Sequence, residues 1–393
     1  MKRFRLYGLR RNPFDTFSHS HEMADRKEEW KRTTKSLASA FEDRSPRFFI
    51  LLGDYGEGKS YTLEKIYRWL SRTKKERTGV FVIYVKSDVL YQRPLAIMES
   101  EPRWQKFGLN FITRVFDNIK REELVAVLQK SNLKEFSSPY LKVFNGIRKN
   151  EDTAFRYING DKLTTAELKT LGVRSGLSDS AQGIELFFEF LKVIQLAGYN
   201  NLLLLLDEFE YITSVLGEKK ITQILNTFRE IFDSFGYYSD RLHGRMAKPI
   251  FVFAISPGGW DRLEELEESA RKKTGGGGIA PFMERVQKRD IIRLKPFALE
   301  DTLELVSLRL SEVREKKLED AYFPFAEDTI EYVHSVSFNK PRNVIQYCGI
   351  LLEDAIEEGL AIITAKDAQR ILEKYGIFPT SETEVAQQTR RKV

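Results

Sequence analysis

Gly53-Asp54-Tyr55-Gly56-Glu57-Gly58-Lys59-Ser60 stands between the apolar run Phe48-Phe49-Ile50-Leu51-Leu52 and a stretch of helical character from Tyr61 to Leu70. The spacing G-x-x-x-x-G-K-S, after a strand and before a helix, is that of a phosphate-binding loop. Its glycines let the backbone turn tightly and aim successive N–H groups inward, where the helix N-terminus adds partial positive charge for a triphosphate. In this reading Lys59 reaches the β- and γ-phosphates of ATP and the Ser60 hydroxyl ligates Mg²⁺. Gly53, Asp54, Tyr55, Gly56, Glu57, Gly58 and Tyr61 complete the cofactor-binding stretch.

A second apolar run far downstream, Leu202-Leu203-Leu204-Leu205-Leu206, ends in Asp207-Glu208. Five leucines without a polar interruption predict a central parallel strand buried on both faces, and ligands bind at the carboxyl ends of such strands. Asp207 is placed to hold Mg²⁺, directly or through water, and Glu208 to orient and polarise the attacking water. Two further runs, Val80 to Val85 and Ile250 to Ile255, predict strands, and a short one spans Asp290 to Leu294. Strands alternating with helices predict an α/β fold with a parallel sheet covered on both faces. Ser256, at the end of its strand, either hydrogen-bonds the γ-phosphate or starts a turn with Pro257.

Composition limits the alternatives. The chain has 393 residues, 42% of them hydrophobic, with a formal charge of +6 and a pI near 9.0. No run approaches the roughly 18 apolar residues of a membrane span, so no membrane association is expected. A single cysteine, Cys348, excludes an internal disulfide and fits a reducing, cytoplasmic setting. The charge permits a polyanionic partner without requiring one. Residues 1–11 hold Lys2, Arg3, Arg5, Arg10 and Arg11 and no acid. Such an arm either lies along a phosphate backbone or packs on the body with its charges in water. Arg271-Lys272-Lys273 before four glycines marks a loop that approaches a phosphate or a partner, or is simply surface.

Between about Tyr91 and Asp179 the pattern changes to helices, Phe107 to Lys120, Glu122 to Gln129 and Ser138 to Arg148, which predicts an all-helical insertion. From Phe297 the chain is again helical: Leu299 to Ser311, Ala326 to Val336, Pro341 to Gly359 and Thr364 to Tyr375, the last opened by the capping pattern Thr364-x-x-Asp367. Pro341 suits a first helical position and puts Arg342 in the first turn. A cation there opposes the helix dipole, so Arg342 calls for an anionic partner, either a bound phosphate or an acid of its own domain. The polar end from Thr380 is expected to be disordered.

Gly53 to Ser60, Leu202 to Glu208, Ser256, Arg285-Val286 and Asn339-Lys340-Pro341-Arg342, in this order, resemble an AAA+ P-loop ATPase. The Asn-x-Pro-Arg turn, the Cys348 helix and the closing Thr-x-x-Asp helix resemble the origin-recognition initiators. Phe155-Arg156-Tyr157-Ile158-Asn159-Gly160, with Gly198-Tyr199 before the acidic strand, is similar to the ATP-binding proteins of BREX-type phage-exclusion systems. The resemblance implies a five-stranded sheet in the order 5-1-4-3-2, a C-terminal all-α lid, and ATP sites completed by neighbouring subunits of a homo-oligomer. It further implies that Ser256 is a first sensor of the γ-phosphate, Arg342 a second, and Arg285 a finger reaching the adjacent subunit's site, with Arg289 and Arg293 as near alternatives.

The expected division is an arm and leading helix (1–47), a nucleotide-binding domain (48–296), a lid (297–378) and a polar tail (379–393). Origin-recognition initiators carry a winged-helix domain after the lid, and about fifteen residues are too few for one. Two functions follow: an ATP-hydrolysing oligomeric switch or motor on double-stranded DNA, or an ATP-gated scaffold that binds protein through the insertion.

Overall fold

The computed structural model describes residues 3–14, 26–72, 79–86, 107–133, 138–242, 244–274 and 278–379. Lys2, the basic residues Lys74, Lys75 and Arg77, the start of the insertion from Tyr91, Gly275 to Gly277 and the tail from Thr380 lie outside them.

Five strands, β1 (Arg47–Leu52), β2 (Val80–Lys86), β3 (Asn201–Asp207), β4 (Lys248–Ile255) and β5 (Ile291–Arg293), pair in parallel in the order β2-β3-β4-β1-β5. This is the expected α/β sheet and the expected strand order. Every residue of β1, β3 and β4 is buried, which is why their sequences carry no alternation. The last strand is shorter than Asp290 to Leu294. Asp290 instead closes a 3₁₀ turn over Lys288–Asp290, and its buried carboxylate pairs with Arg47 at 3.3 Å.

The chain divides into two compact units. The sheet unit comprises residues 32–53 and 59–293. Phenylalanines fill its interior: Phe253 meets Phe209 at 4.7 Å and Phe228 at 5.1 Å, while Phe48 stacks on Phe282 at 5.1 Å between ring centroids. The buried face of the insertion belongs to the same hydrophobic cluster. Its helices are Phe107–Asp117, Arg121–Lys130, Leu141–Arg148, Asp152–Ile158 and Thr165–Leu171. The first stops short of Lys120: the Asn118 side-chain amide caps the Arg114 carbonyl at 2.9 Å, and the Ile119 N–H turns back to the Phe116 carbonyl at 3.0 Å instead of continuing the ladder. The last two were not expected; both are short, and each is closed by a glycine in the left-handed region, Gly160 (φ 72°) and Gly172 (φ 67°).

Helix Ser180–Leu196, capped by Asp179, crosses Phe107–Asp117 so closely that a Cβ at Gly183 would lie 2.9 Å from the Leu109 Cα. At the foot of β4, buried Lys248 donates to the carbonyls of Ala40 and Asp43 at the end of helix Lys27–Glu42. Burial lowers its pKa to about 8.

The second unit comprises residues 1–31, 54–58 and 294–393. Its helices are Leu299–Val313, Glu327–Val336, Pro341–Glu358 and Ala365–Lys374, with Pro341 at the first helical position and Thr364 and Asp367 forming a capping box. The N-terminal segment packs here. Tyr7, Leu9 and Phe14 are buried in this unit's core, and the Tyr7 hydroxyl donates to the Leu360 carbonyl at 2.6 Å. Arg10 donates to the carbonyl of Glu312 at 3.1 Å, near a helix C-terminus where a cation is favoured, and Arg5 pairs with Glu315 at 3.6 Å. Of the two readings of the arm, packing on the body is the one the described residues take.

Candidate nucleotide site

In the sheet unit the site grows from the carboxyl ends of β1, β3 and β4. Leu52 pairs with Ile255 and Leu206 with Phe253, which brings these ends to one edge. The chain leaves β1 through Gly53, whose N–H bonds the Ile255 carbonyl at 3.3 Å, and helix Lys59–Arg72 begins at Lys59. Gly56 (φ 85°) and Gly58 (φ 93°) adopt backbone that a side chain would strain, as a loop of inward-pointing N–H groups requires. Glu57, buried, steadies the loop by accepting from the Asp54 N–H at 2.6 Å.

Lys59 is buried, and its ammonium donates to the Gly53 carbonyl at 2.9 Å and pairs with Glu210 at 3.3 Å. Ser60 is exposed one residue along and Tyr61 half-buried. At the end of β3, Asp207 is buried; its Oδ1 accepts the Glu208 N–H at 2.9 Å and its Oδ2 accepts the Tyr84 hydroxyl at 2.5 Å. Tyr84 lies on β2 in register with Leu205. Burial first, and then the Asp207 carboxylate, push its pKa up, so the phenol keeps its proton and remains a donor.

Glu208 has φ 56°, a left-handed conformation that costs a non-glycine residue on the order of 1 kcal/mol. It turns the chain so that the Phe209 N–H reaches the Ala254 carbonyl at 3.0 Å and helix Glu210–Val215 can start. Ser256 accepts the Gly259 N–H at 3.2 Å and so caps helix Pro257–Thr274.

Arg285 follows the short helix Ala280–Met283 of the sheet unit. Its guanidinium grips Asp233 with two bonds of 2.7 and 2.8 Å, also donates to the Pro281 carbonyl, and stands 5.7 Å from the Phe232 ring centroid. Arg289 and Arg293 are exposed, with Arg289 bonded to Gln287 at 2.8 Å.

In the second unit, Tyr55 projects from the loop, and Arg342 lies against it. The Arg342 Nη1 donates to the Tyr55 hydroxyl at 2.5 Å, and its guanidinium carbon is 4.9 Å from the ring centroid. Lys340 approaches Asp54 at 3.5 Å. Arg26 is buried beside the loop; it donates to the Glu57 carbonyl at 2.7 Å and lies over the Phe297 ring at 5.1 Å, and burial lowers its pKa.

The donor set fits a magnesium–nucleotide. A glycine loop with positive φ, a buried lysine, a hydroxyl and a carboxylate at strand ends are the groups phosphoryl chemistry needs. Three neighbours escaped sequence reading. Glu210 is two residues past Glu208, and its role depends on the turn between them. Tyr84 is the one polar-tipped residue in an otherwise apolar run and could have been noticed there. Arg26 is isolated in sequence and carries no motif.

Among solved structures the chain is similar to the ORC2 protein of Aeropyrum pernix in its ADPNP–ADP complexes, with a TM-score of 0.53 and 11% identity, covering 95% of this chain and 74% of that one. It is also similar to a Walker-type ATPase of Pyrococcus abyssi (TM-score 0.49, 16% identity, 96% of this chain and 80% of that one). A third is domain III of the replication initiation protein DnaA of Thermotoga maritima (0.42, 12%, 91% and 95%). At such identities the first likeness speaks for the fold alone. Among curated proteins none matches significantly. Residues 117–346 match the family of BREX system ATP-binding proteins BrxC/D, and with more than half of its length inside that match the chain belongs to this family.

Proposed function

We propose that this AAA+ protein binds ATP with Mg²⁺, hydrolyses it, and works as an oligomeric nucleotide-dependent switch or motor on DNA. The observation that carries the reading is the meeting of buried Lys59, exposed Ser60 and the Asp207-Glu208 turn at one edge of the parallel sheet. ATP supplies the phosphoanhydride and Mg²⁺ neutralises its oxygens. Lys59 holds the phosphates, Ser60 and Asp207 serve the metal, and Glu208 aligns a water for in-line attack on the γ-phosphorus. Most of the rate then comes from positioning and charge stabilisation.

Ser256 and Arg342 read the γ-phosphate, and Arg285 acts in a neighbouring subunit's site. Ser256 first has to share its hydroxyl with the helix it caps. DNA is the proposed load on the grounds of the sequence resemblance to origin-recognition initiators and the positive net charge. The contact is assigned away from Arg5 and Arg10, which are engaged within their own unit. A protein load carried by the insertion is the reading to adopt if DNA has no effect.

The test is steady-state ATP turnover over a range of protein concentrations, with and without double-stranded DNA at low salt, in wild type and Glu208→Gln. Expected are specific activity that rises with concentration, stimulation by DNA, and a Glu208→Gln variant that binds ATP but turns over about 10²-fold or more slowly. Equal turnover in the two proteins would falsify the role of Glu208. A flat, DNA-indifferent rate would remove the DNA and oligomer parts.

A further inference from the structure

Glu210 faces the cation that the phosphates need. It is the first residue of helix Glu210–Val215, a position where the helix dipole favours a carboxylate. Its Oε1 lies 3.3 Å from the Lys59 Nζ. Its Oε2 is buried with no hydrogen-bond partner. A carboxylate with one oxygen engaged and the other buried without a partner is under-satisfied, and buried acceptors of this kind call for an explanation. Lys59, only 7% exposed, conversely needs an anion close by. The two groups answer each other's need, and a phosphate oxygen, also anionic, competes for the same ammonium.

We infer that Glu210 is a built-in counter-anion that occupies Lys59 in the nucleotide-free protein and must leave it when the polyphosphate of a nucleotide arrives. This rests on the assignment of Lys59 as the phosphate-binding lysine. The exchange has a mechanical outlet. Gly259, in helix Pro257–Thr274, is packed so tightly that a Cβ there would lie 2.8 Å from the Thr213 Oγ1 of helix Glu210–Val215. A shift of the shorter helix on release of Glu210 is therefore passed to the helix that Ser256 caps. Arrival of phosphate at Lys59 and movement at the end of β4 become one event, and the exchange lowers the apparent affinity for every nucleotide. A Lys59 engaged by Glu210 nine-tenths of the time weakens apparent binding about tenfold, since only the free fraction is competent.

The experiment is equilibrium binding of ATP and of ADP, in EDTA and in Mg²⁺, to wild type, Glu210→Gln and Glu210→Ala, with Lys59→Ala as the control that removes the site and thermal melting as the control for folding. Glu210→Gln keeps the shape and loses the charge; Glu210→Ala also keeps a good helix former in place. Expected is binding about tenfold tighter in both variants, in EDTA as in Mg²⁺, because the competing anion is gone. A carboxylate that merely buttressed the fold would give the reverse, a lowered melting temperature and weaker binding. Unchanged or weaker affinity in the two variants, with wild type binding normally, overturns the counter-anion role. Failure of the wild type itself to bind overturns the nucleotide reading as well, so the two failures are told apart by the wild-type protein.

Discussion

Arg285 and Arg342 carry the same guanidinium into two different settings. Arg285 is clamped by Asp233 through two charge-assisted bonds and stands beside the Phe232 ring. Arg342 is exposed, opens its helix against the dipole, and leans on the phenol of Tyr55. The sequence calls for an anion at Arg342, yet among the described residues its contacts are the hydroxyl and ring of Tyr55 and no carboxylate pairs with it. An arginine held by a phenol changes partner at little cost, while one held bidentately by a carboxylate must first give up an ion pair. In the function proposed above, Arg342 exchanges its phenol for a phosphate, and Arg285 engages another subunit only if assembly offers it a better anion than Asp233.

Three substitutions bear on this contrast. Arg285→Ala has the largest expected effect: turnover falls by about 10³-fold while ATP still binds, as for a finger supplied in trans. Mixing it with Glu208→Gln subunits restores part of the rate, because a Glu208→Gln subunit supplies its Arg285 to a site whose Glu208 is intact. A variant with wild-type turnover would return Arg285 to a purely structural pairing. Arg342→Ala is expected to slow turnover by about tenfold to a hundredfold and to erase much of the preference for ATP over ADP in a competition assay. Equal preference in wild type and variant would mean that Arg342 does not sense the γ-phosphate. Smallest is Tyr55→Phe, which removes one hydroxyl from an exposed pair. ATP affinity rises by about two- to threefold with no change in melting temperature, the scale of one modest hydrogen bond. A weaker affinity would show the hydroxyl to be a nucleotide ligand instead.

The fold was legible wherever a residue's neighbours along the chain decide its state. The unbroken apolar runs of β1, β3 and β4, the Pro341 helix start and the Thr364 cap all have local causes, and their strand order followed from the resemblance. The glycine loop after β1 and the turn after β3 were legible for the same reason. Helices Asp152–Ile158 and Thr165–Leu171 were not, because two turns of helix give periodicity little to act on, and their stability comes from packing. Partnerships were the least visible. Asp233 and Arg285 are 52 residues apart and Tyr84 and Asp207 123 apart, and no spacing rule joins them. Glu210 was two residues from a chosen site and still missed, since only the reversal of the chain at Glu208 aims it back at Lys59.

That reversal has a consequence for how the protein can change over time. Glu208 holds a backbone conformation that glycine or asparagine adopts with less strain, so either replacement would relax the turn and make the chain more robust to heat. Both would also delete the group proposed to align the water. If Glu208 has the role proposed, a population selected for thermal endurance alone would drift toward inert proteins at this position, and a glutamate that persists there under such pressure marks a lineage still selected for activity.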